Sequence, residues 1–247
     1  MQERTRRIVL ASVLGLIFLI LLLVVDRHML KPLPEGVSTF AQEIDTVFYI
    51  IYYITGVVFI LVTALLVWFL IRYRAQPGHR AIYSHGSSVL EITWTMVPAA
   101  VFIILFLLSQ ATWAKVKIFP PAGDVEVRAL GKQFAWEFTY PGPDGKFDTS
   151  DDKTIQGDLH VPVDKVVRVY LRGKDVIHSF FIPTMRLKQD AVPGREIIVW
   201  FQATKSGKYE VPCAELCGPG HSGMKGWVTI HPADAYQQWV KQQWPSS

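Results

Sequence analysis

Three stretches of the chain carry no charged residue: residues 8–25, 46–71 and 92–114. A helix rises about 1.5 Å per residue and a hydrocarbon core is roughly 30 Å thick, so the second and third runs are long enough to cross it. The first, at 18 residues, stands at the lower edge of that range. The pattern predicts three transmembrane helices, the last two forming a hairpin. After Lys115 the pattern changes. Short alternating or β-branched stretches appear at residues 125–129, 134–140, 166–171, 176–182, 196–201 and 226–230, with turn residues such as Pro141-Gly142-Pro143, Gly173, Pro193-Gly194 and Ser206-Gly207 between them. This spacing predicts an all-β sandwich or barrel. At the end, Pro232 is followed by Tyr236, Trp239 and Val240 on one helical face, which predicts a short C-terminal helix over residues 232–244. The expected organisation is a first transmembrane segment at 1–27, a transmembrane hairpin at 28–114 and a β domain at 115–247.

Composition agrees with this division, being half hydrophobic with 19% charged residues. The first run has a second reading as a secretory signal peptide behind Arg4, Arg6 and Arg7. No small-x-small cleavage site follows it, since Val24, Val25, Asp26 and Arg27 come next, so an uncleaved anchor is favoured. Loop charge sets the orientation. The N-terminus and the loop holding Arg72, Arg74 and Arg80 are basic, whereas the loop with Asp26, Glu35, Glu43 and Asp45 is acidic. Basic segments stay in the cytoplasm, so everything after about Lys115 is expected outside it. The net charge of +4 is no nucleic-acid signature, because residues 115–247 hold 17 basic and 15 acidic side chains.

Cys213 and Cys217 are the only cysteines. They stand in Pro212-Cys213-Ala214-Glu215-Leu216-Cys217-Gly218-Pro219-Gly220-His221-Ser222-Gly223-Met224, where two thiols, an imidazole and a thioether fall within 12 residues. Soft sulfur with imidazole selects copper over harder ions, and Cys, His and a weak Met form the ligand set of blue-copper sites. The second cysteine extends that set. A thiolate can bridge two metals, so two cysteines on one turn can hold a copper pair, each copper with its own imidazole. His221 offers one. His178, within the apolar stretch Val176-Ile177-His178-Ser179-Phe180-Phe181-Ile182, is the candidate for the other, since an unpartnered imidazole there would be costly. Such a centre relays electrons and leaves no position for substrate, so no catalytic residue is expected in this chain. Competing readings are a disulfide, a thioredoxin-like thiol reductase or copper chaperone, which needs a βαβ alternation missing from this region, and a zinc site, for which Met is a poor ligand.

The copper loop, with His178-Ser179-Phe180 upstream, resembles the CuA motif of cytochrome c oxidase subunit II. Glu91-Ile92-Thr93-Trp94-Thr95-Met96-Val97-Pro98 and Leu187-Lys188-Gln189-Asp190-Ala191-Val192-Pro193-Gly194-Arg195 also resemble that family, and the likeness spans roughly residues 45–230. The resemblance implies a cupredoxin-like β sandwich carrying a dinuclear copper centre outside the cytoplasm of a prokaryotic membrane. His178, Cys213, Cys217, His221 and Met224 would bind copper through side chains and Glu215 through its backbone carbonyl. The Glu215 carboxylate would reach a magnesium site shared with subunit I, a hard oxygen donor suiting that ion. Electrons from a c-type cytochrome would pass to haem in subunit I, where oxygen is reduced to water and protons are pumped.

Glu91 matches a family glutamate at the mouth of a proton-uptake channel, although a carboxylate at a helix N-terminus is favourable by itself. In Gly131-Lys132-Gln133-Phe134-Ala135-Trp136-Glu137-Phe138-Thr139-Tyr140 the family carries an aromatic electron-uptake patch, with tryptophan where Phe134 stands. Phe134 and Trp136 are therefore the expected electron-uptake residues, and a membrane-bound cytochrome complex is an alternative donor. Simple strand packing is the competing reading, with Phe134, Trp136 and Phe138 on one face. The four carboxylates Asp144, Asp148, Asp151 and Asp152 could wrap calcium, but their spacing misses the EF-hand pattern and a solvated hairpin loop is favoured. A membrane-tethered electron carrier or copper-delivery protein remains the reading from another class. A quinol-oxidase-type subunit is disfavoured by the intact ligand set.

Overall fold

The computed structural model describes residues 33–245 and Gly15. Apart from Gly15, the first expected span at 8–25 lies outside the described residues. The chain divides into two compact units, Met1–Glu35 and Gly36–Ser247. The second contains two long helices and a β domain.

Two helices among the described residues are long and apolar enough to cross a membrane. The first, α1 (Ala41–Arg72), begins five residues ahead of the charge-free run because it takes Glu43 and Asp45 into its opening turns. The second, α2 (Ser88–Trp113), is capped by Ser87, whose hydroxyl accepts from the Leu90 N–H, and carries Glu91 in its first turn. It runs on into a π-helical turn, Ala114–Ile118. Lys115 Nζ in that turn donates to Glu43 Oε1 at 2.6 Å, tying the two helices at one end.

Ten strands build the β domain. Five form one sheet in the order β3 (Lys153–Gln156), β2 (Ala135–Tyr140), β1 (Val125–Lys132), β5 (Val166–Gly173) and β8 (Ile197–Gln202). Three form a second, β4 (Asp158–Pro162), β10 (Lys225–His231) and β9 (Gly207–Pro212). The ribbon β6 (His178–Ile182) with β7 (Leu187–Ala191) completes the set. Alternation decides the buried faces: Val127 and Ala129 of β1, Trp136, Phe138 and Tyr140 of β2, and Val167, Val169 and Leu171 of β5 all enter one apolar cluster. Phe40, just before α1, is fully buried in the same cluster, its ring centroid 5.4 Å from that of Trp200. The core therefore draws on residues ahead of the membrane helices as well as after them.

Phe134 departs from the expected strand. The strand β2 starts at Ala135, which leaves Phe134 in the β1–β2 turn and 39% exposed, while Trp136 and Phe138 point inward.

The C-terminal helix α3 (Ala233–Gln243) closes the domain, with Trp239 against Tyr140 at 5.2 Å between ring centroids. Beneath it His160 Nδ1 and His231 Nε2 share a hydrogen bond of 2.8 Å, which needs a neutral acceptor. Burial holds both imidazoles below their ordinary value of 6.5. The unfolded chain then binds protons more readily than the folded one, so stability is complete above about pH 6.5 and falls as pH drops below it. Urea unfolding across that range should show the decline, and His231→Gln should flatten it.

Candidate metal centre

The loop from Cys213 to Met224 joins β9 to β10 and is closed at its neck by the Cys213 N–H donating to the Met224 carbonyl at 3.0 Å. The strand β6 runs alongside: Ala214 N–H donates to Ser179 O at 3.0 Å, and Phe180 bridges to Cys213. This pairing sets His178, the first residue of β6, against the two cysteines. Gly218 adopts φ 132°, a conformation suited to glycine, and a Cβ on Gly220 would run into the Phe134 ring.

The sulfurs are unbonded, 3.9 Å apart, and the donors divide around them. His178 Nδ1 lies 3.9 Å and the Glu215 carbonyl oxygen 3.3 Å from Cys213 Sγ. His221 Nδ1 lies 3.6 Å and Met224 Sδ 3.7 Å from Cys217 Sγ. His178, both cysteines and Met224 are buried, His221 is half-buried and the Glu215 side chain is exposed. Burial and the neighbouring Cys213 push the Cys217 thiol up to about 11. Two anions this close and this buried need a cation, and the soft donors fit copper.

Two positions beyond these donors matter. Asp175 Oδ1 accepts from His178 Nε2 at 2.8 Å, which fixes the tautomer and leaves Nδ1 free on the sulfur side. Burial raises the Asp175 carboxyl, but the hydrogen bonds from His178 and from the backbone N–H groups of Gln133 and Val176 outweigh it and hold it at about 2. Gln133 Nε2 donates to the Cys217 carbonyl at 2.5 Å, pinning the β1–β2 turn to the loop. The Asp-x-x-His spacing was visible in the sequence; the Gln133 contact, spanning 84 positions, was not.

The remaining expected residues fall at different distances from the cluster. Phe134 lies over Gly218 and Gly220 at the surface of the loop. Trp136 is fully buried, its ring 6.1 Å from that of His178, so it stands beside that imidazole in the interior and not at the surface. Glu91 sits in the first turn of α2 and is not brought to the cluster. The acidic loop folds on itself: Asp148 pairs with Arg128 at 2.8 Å, Asp152 Oδ2 accepts from the Asp148 N–H, and Asp144 and Asp151 accept from Lys146 N–H and the Thr149 hydroxyl. These bonds close the segment into a hairpin loop.

A family profile for the periplasmic domain of cytochrome c oxidase subunit II matches residues 125–230, and one for its transmembrane domain matches residues 26–111. The alternative cytochrome c oxidase subunit 2 of Bradyrhizobium diazoefficiens is 32% identical over 222 residues, 81% of this chain and 80% of its own. Cytochrome c oxidase subunit 2 of Thermostichus vulcanus is 32% identical over 264 residues, 85% of this chain and 78% of its own. That of Cereibacter sphaeroides is 29% identical over 250 residues, 86% and 82% of the two chains. With paired thiols in its β domain and two apolar helices ahead of it, the chain belongs to the cytochrome c oxidase subunit II family, as a membrane-anchored subunit of a haem-copper oxidase with its β domain outside the cytoplasm.

Proposed function

We propose that this chain takes up electrons for the oxidase at a dinuclear copper centre and passes them to haem in subunit I, for reduction of oxygen to water coupled to proton pumping. One observation carries the reading: four donor groups divide into two pairs around two unbonded sulfurs 3.9 Å apart. The ligands are His178, Cys213, Cys217, His221 and Met224 through side chains and Glu215 through its carbonyl. When bound, the copper pair supplies a one-electron carrier whose charge change is spread over several atoms. The chain's own residues hold that carrier still. The ligand His178 is locked from behind by Asp175, and the loop is closed at its neck and pinned by Gln133. Little rearrangement then accompanies each electron.

The exposed ring of Phe134, packed on the ligand loop, is the proposed place of electron uptake, with Trp136 behind it. The donor is a c-type cytochrome or a membrane-bound cytochrome complex. The exposed Glu215 carboxylate is free to reach a magnesium ion at the boundary with subunit I. Glu91 is assigned to proton uptake. The β domain is read as a cupredoxin-like sandwich on residues 115–247, following a hairpin at 28–114. Metal analysis with visible and spin-resonance spectra tests the central statement: two coppers per chain sharing one unpaired electron are expected, and a single mononuclear signal would refute it.

Asp175→Asn tests the support behind His178. Its amide can present either an acceptor or a donor and loses the charge, so copper affinity should fall about 10–100-fold. Competitive copper titration of the variant reads this directly, and an unchanged affinity would remove Asp175 from the site.

A further inference from the structure

Arg186 stands at φ 55° and ψ 30°, at the end of the turn Pro183–Met185 that joins β6 to β7. That left-handed conformation suits glycine and is unfavourable for a residue with a Cβ, and the side chain placed there is well bonded. Its guanidinium grips one carboxylate at two points. Nε donates to Asp45 Oδ1 at 2.6 Å and Nη2 to Asp45 Oδ2 at 2.9 Å, while Nη1 donates to the Pro183 carbonyl at 2.6 Å. The two side chains are only 8% and 17% exposed, so solvent screens the pair little. Such a planar fork fixes direction as well as distance.

Asp45 belongs to α1, one of the two apolar helices; Arg186 belongs to the β6–β7 ribbon, whose other end is His178. Between them runs a strap. Val37 N–H donates to Thr184 O, Ser38 Oγ to Met185 O, and Thr39 N–H to Gln202 O. The strap's bonds use its own backbone and one hydroxyl and, with Phe40 buried against Trp200, seat the start of α1 on the β domain. The two-point fork at Asp45, further along α1, adds a hold that fixes direction.

We propose that Arg186 is a positioning residue: held by Asp45, it fixes the copper-bearing ribbon on the membrane hairpin and so sets where the centre stands relative to the subunit that accepts its electron. This rests on the electron-transfer reading above. None of the bonds from Arg186 to Asp45 and Pro183 joins the pair to a ligand or to the donor surface, so its effect falls on the step by which the electron leaves.

The test uses the intact oxidase in membranes or detergent. Arg186→Gly relieves the backbone while removing the fork, Asp45→Asn removes the charge on the helix, and the double variant Asp45→Arg with Arg186→Asp restores opposite charges in reverse. Asp tolerates the left-handed conformation better than most residues. Three quantities are read: the copper spectrum, the rate at which a donor reduces copper, and the rate at which a flash-injected electron passes from copper to haem. The first two should match the unaltered enzyme. The third should fall about tenfold or more in each single variant, since small misplacements of reacting groups are heavily penalised, and recover in the double. An unchanged internal rate in the single variants overturns the proposal. So does a copper spectrum that changes with it, or a complex that no longer assembles in either single variant. Failure of the underlying reading looks different: the unaltered enzyme would lack the dicopper spectrum, or its copper would never pass an electron to haem.

Discussion

Replacing Cys217 with serine is expected to abolish the two-copper signature and lower respiratory turnover by more than about a hundredfold, beyond the loss caused by removing an outer hydrogen-bond partner. The reason is geometric. Cys217 Sγ is the point nearest to Cys213, His221 and Met224 at once, at 3.9, 3.6 and 3.7 Å. A serine hydroxyl is a hard donor that stays protonated, so His221 and Met224 lose the soft anion that joins them to the other half of the site. His178, Cys213 and the Glu215 carbonyl still suit one copper. Copper per chain should therefore fall toward one, with the spin-resonance pattern changing from a shared electron to a localised one. Full copper content with an unaltered spectrum and undiminished oxygen consumption would refute the dicopper assignment.

Trp136→Ala is expected to destabilise the protein by about 3–5 kcal/mol, in the range for deleting a large buried aromatic. Its indole is fully buried, packs edge-on to Phe180 at 5.4 Å and lies so close to Gly131 that a Cβ there would meet it at 2.9 Å. The cavity would open directly behind His178, so copper binding should weaken along with thermal stability. Among the described residues Trp136 Nε1 has no hydrogen-bond partner, so Trp136→Phe forfeits only volume and should cost about 1–2 kcal/mol. The pair of variants separates packing from electron transfer. Calorimetry gives the stability of each, and stopped-flow reduction of copper gives the rate. If Trp136→Phe loses no more than that small stability yet is reduced much more slowly, the indole lies on the electron's route; an unaltered rate makes it packing alone.

The parts of the fold legible in the sequence were those whose pattern is set by burial on the residue's own element. The strands β1, β2, β5 and β10 lie inside their sheets, and their alternation or β-branching was plain. The four strands that the pattern missed, β3, β4, β7 and β9, are sheet edges or half of a two-stranded ribbon. Edges bury less and tolerate charge, so Lys153, Asp158, Lys188 and Lys208 hid them. The helix also reaches beyond the charge-free run. Counting charge-free residues begins at Thr46, but α1 takes in Glu43 and Asp45, which pair with Lys115 and Arg186. Sequence distance conceals such partners. The candidate metal loop was legible because five of the six donors fall within 12 consecutive residues, and His178 because an imidazole in an apolar strand wants a reason. Phe134 had two readings in the sequence. Parity with Trp136 and Phe138 suggested strand packing, yet the chain turns before Ala135 and the Phe134 ring goes outward, while Trp136, expected beside it in electron uptake, is the one that is buried.

The seating of Phe134 on Gly218 and Gly220 has a consequence for how such proteins diverge. Since the phenyl ring fills the space that any side chain at position 220 would need, the two sites are free to vary only in concert. A methyl gained on the glycine must be matched by a smaller group at the turn, or the coordinating segment is levered away from its sulfurs. Natural relatives and engineered libraries alike should therefore hold bulk at one of these positions at a time.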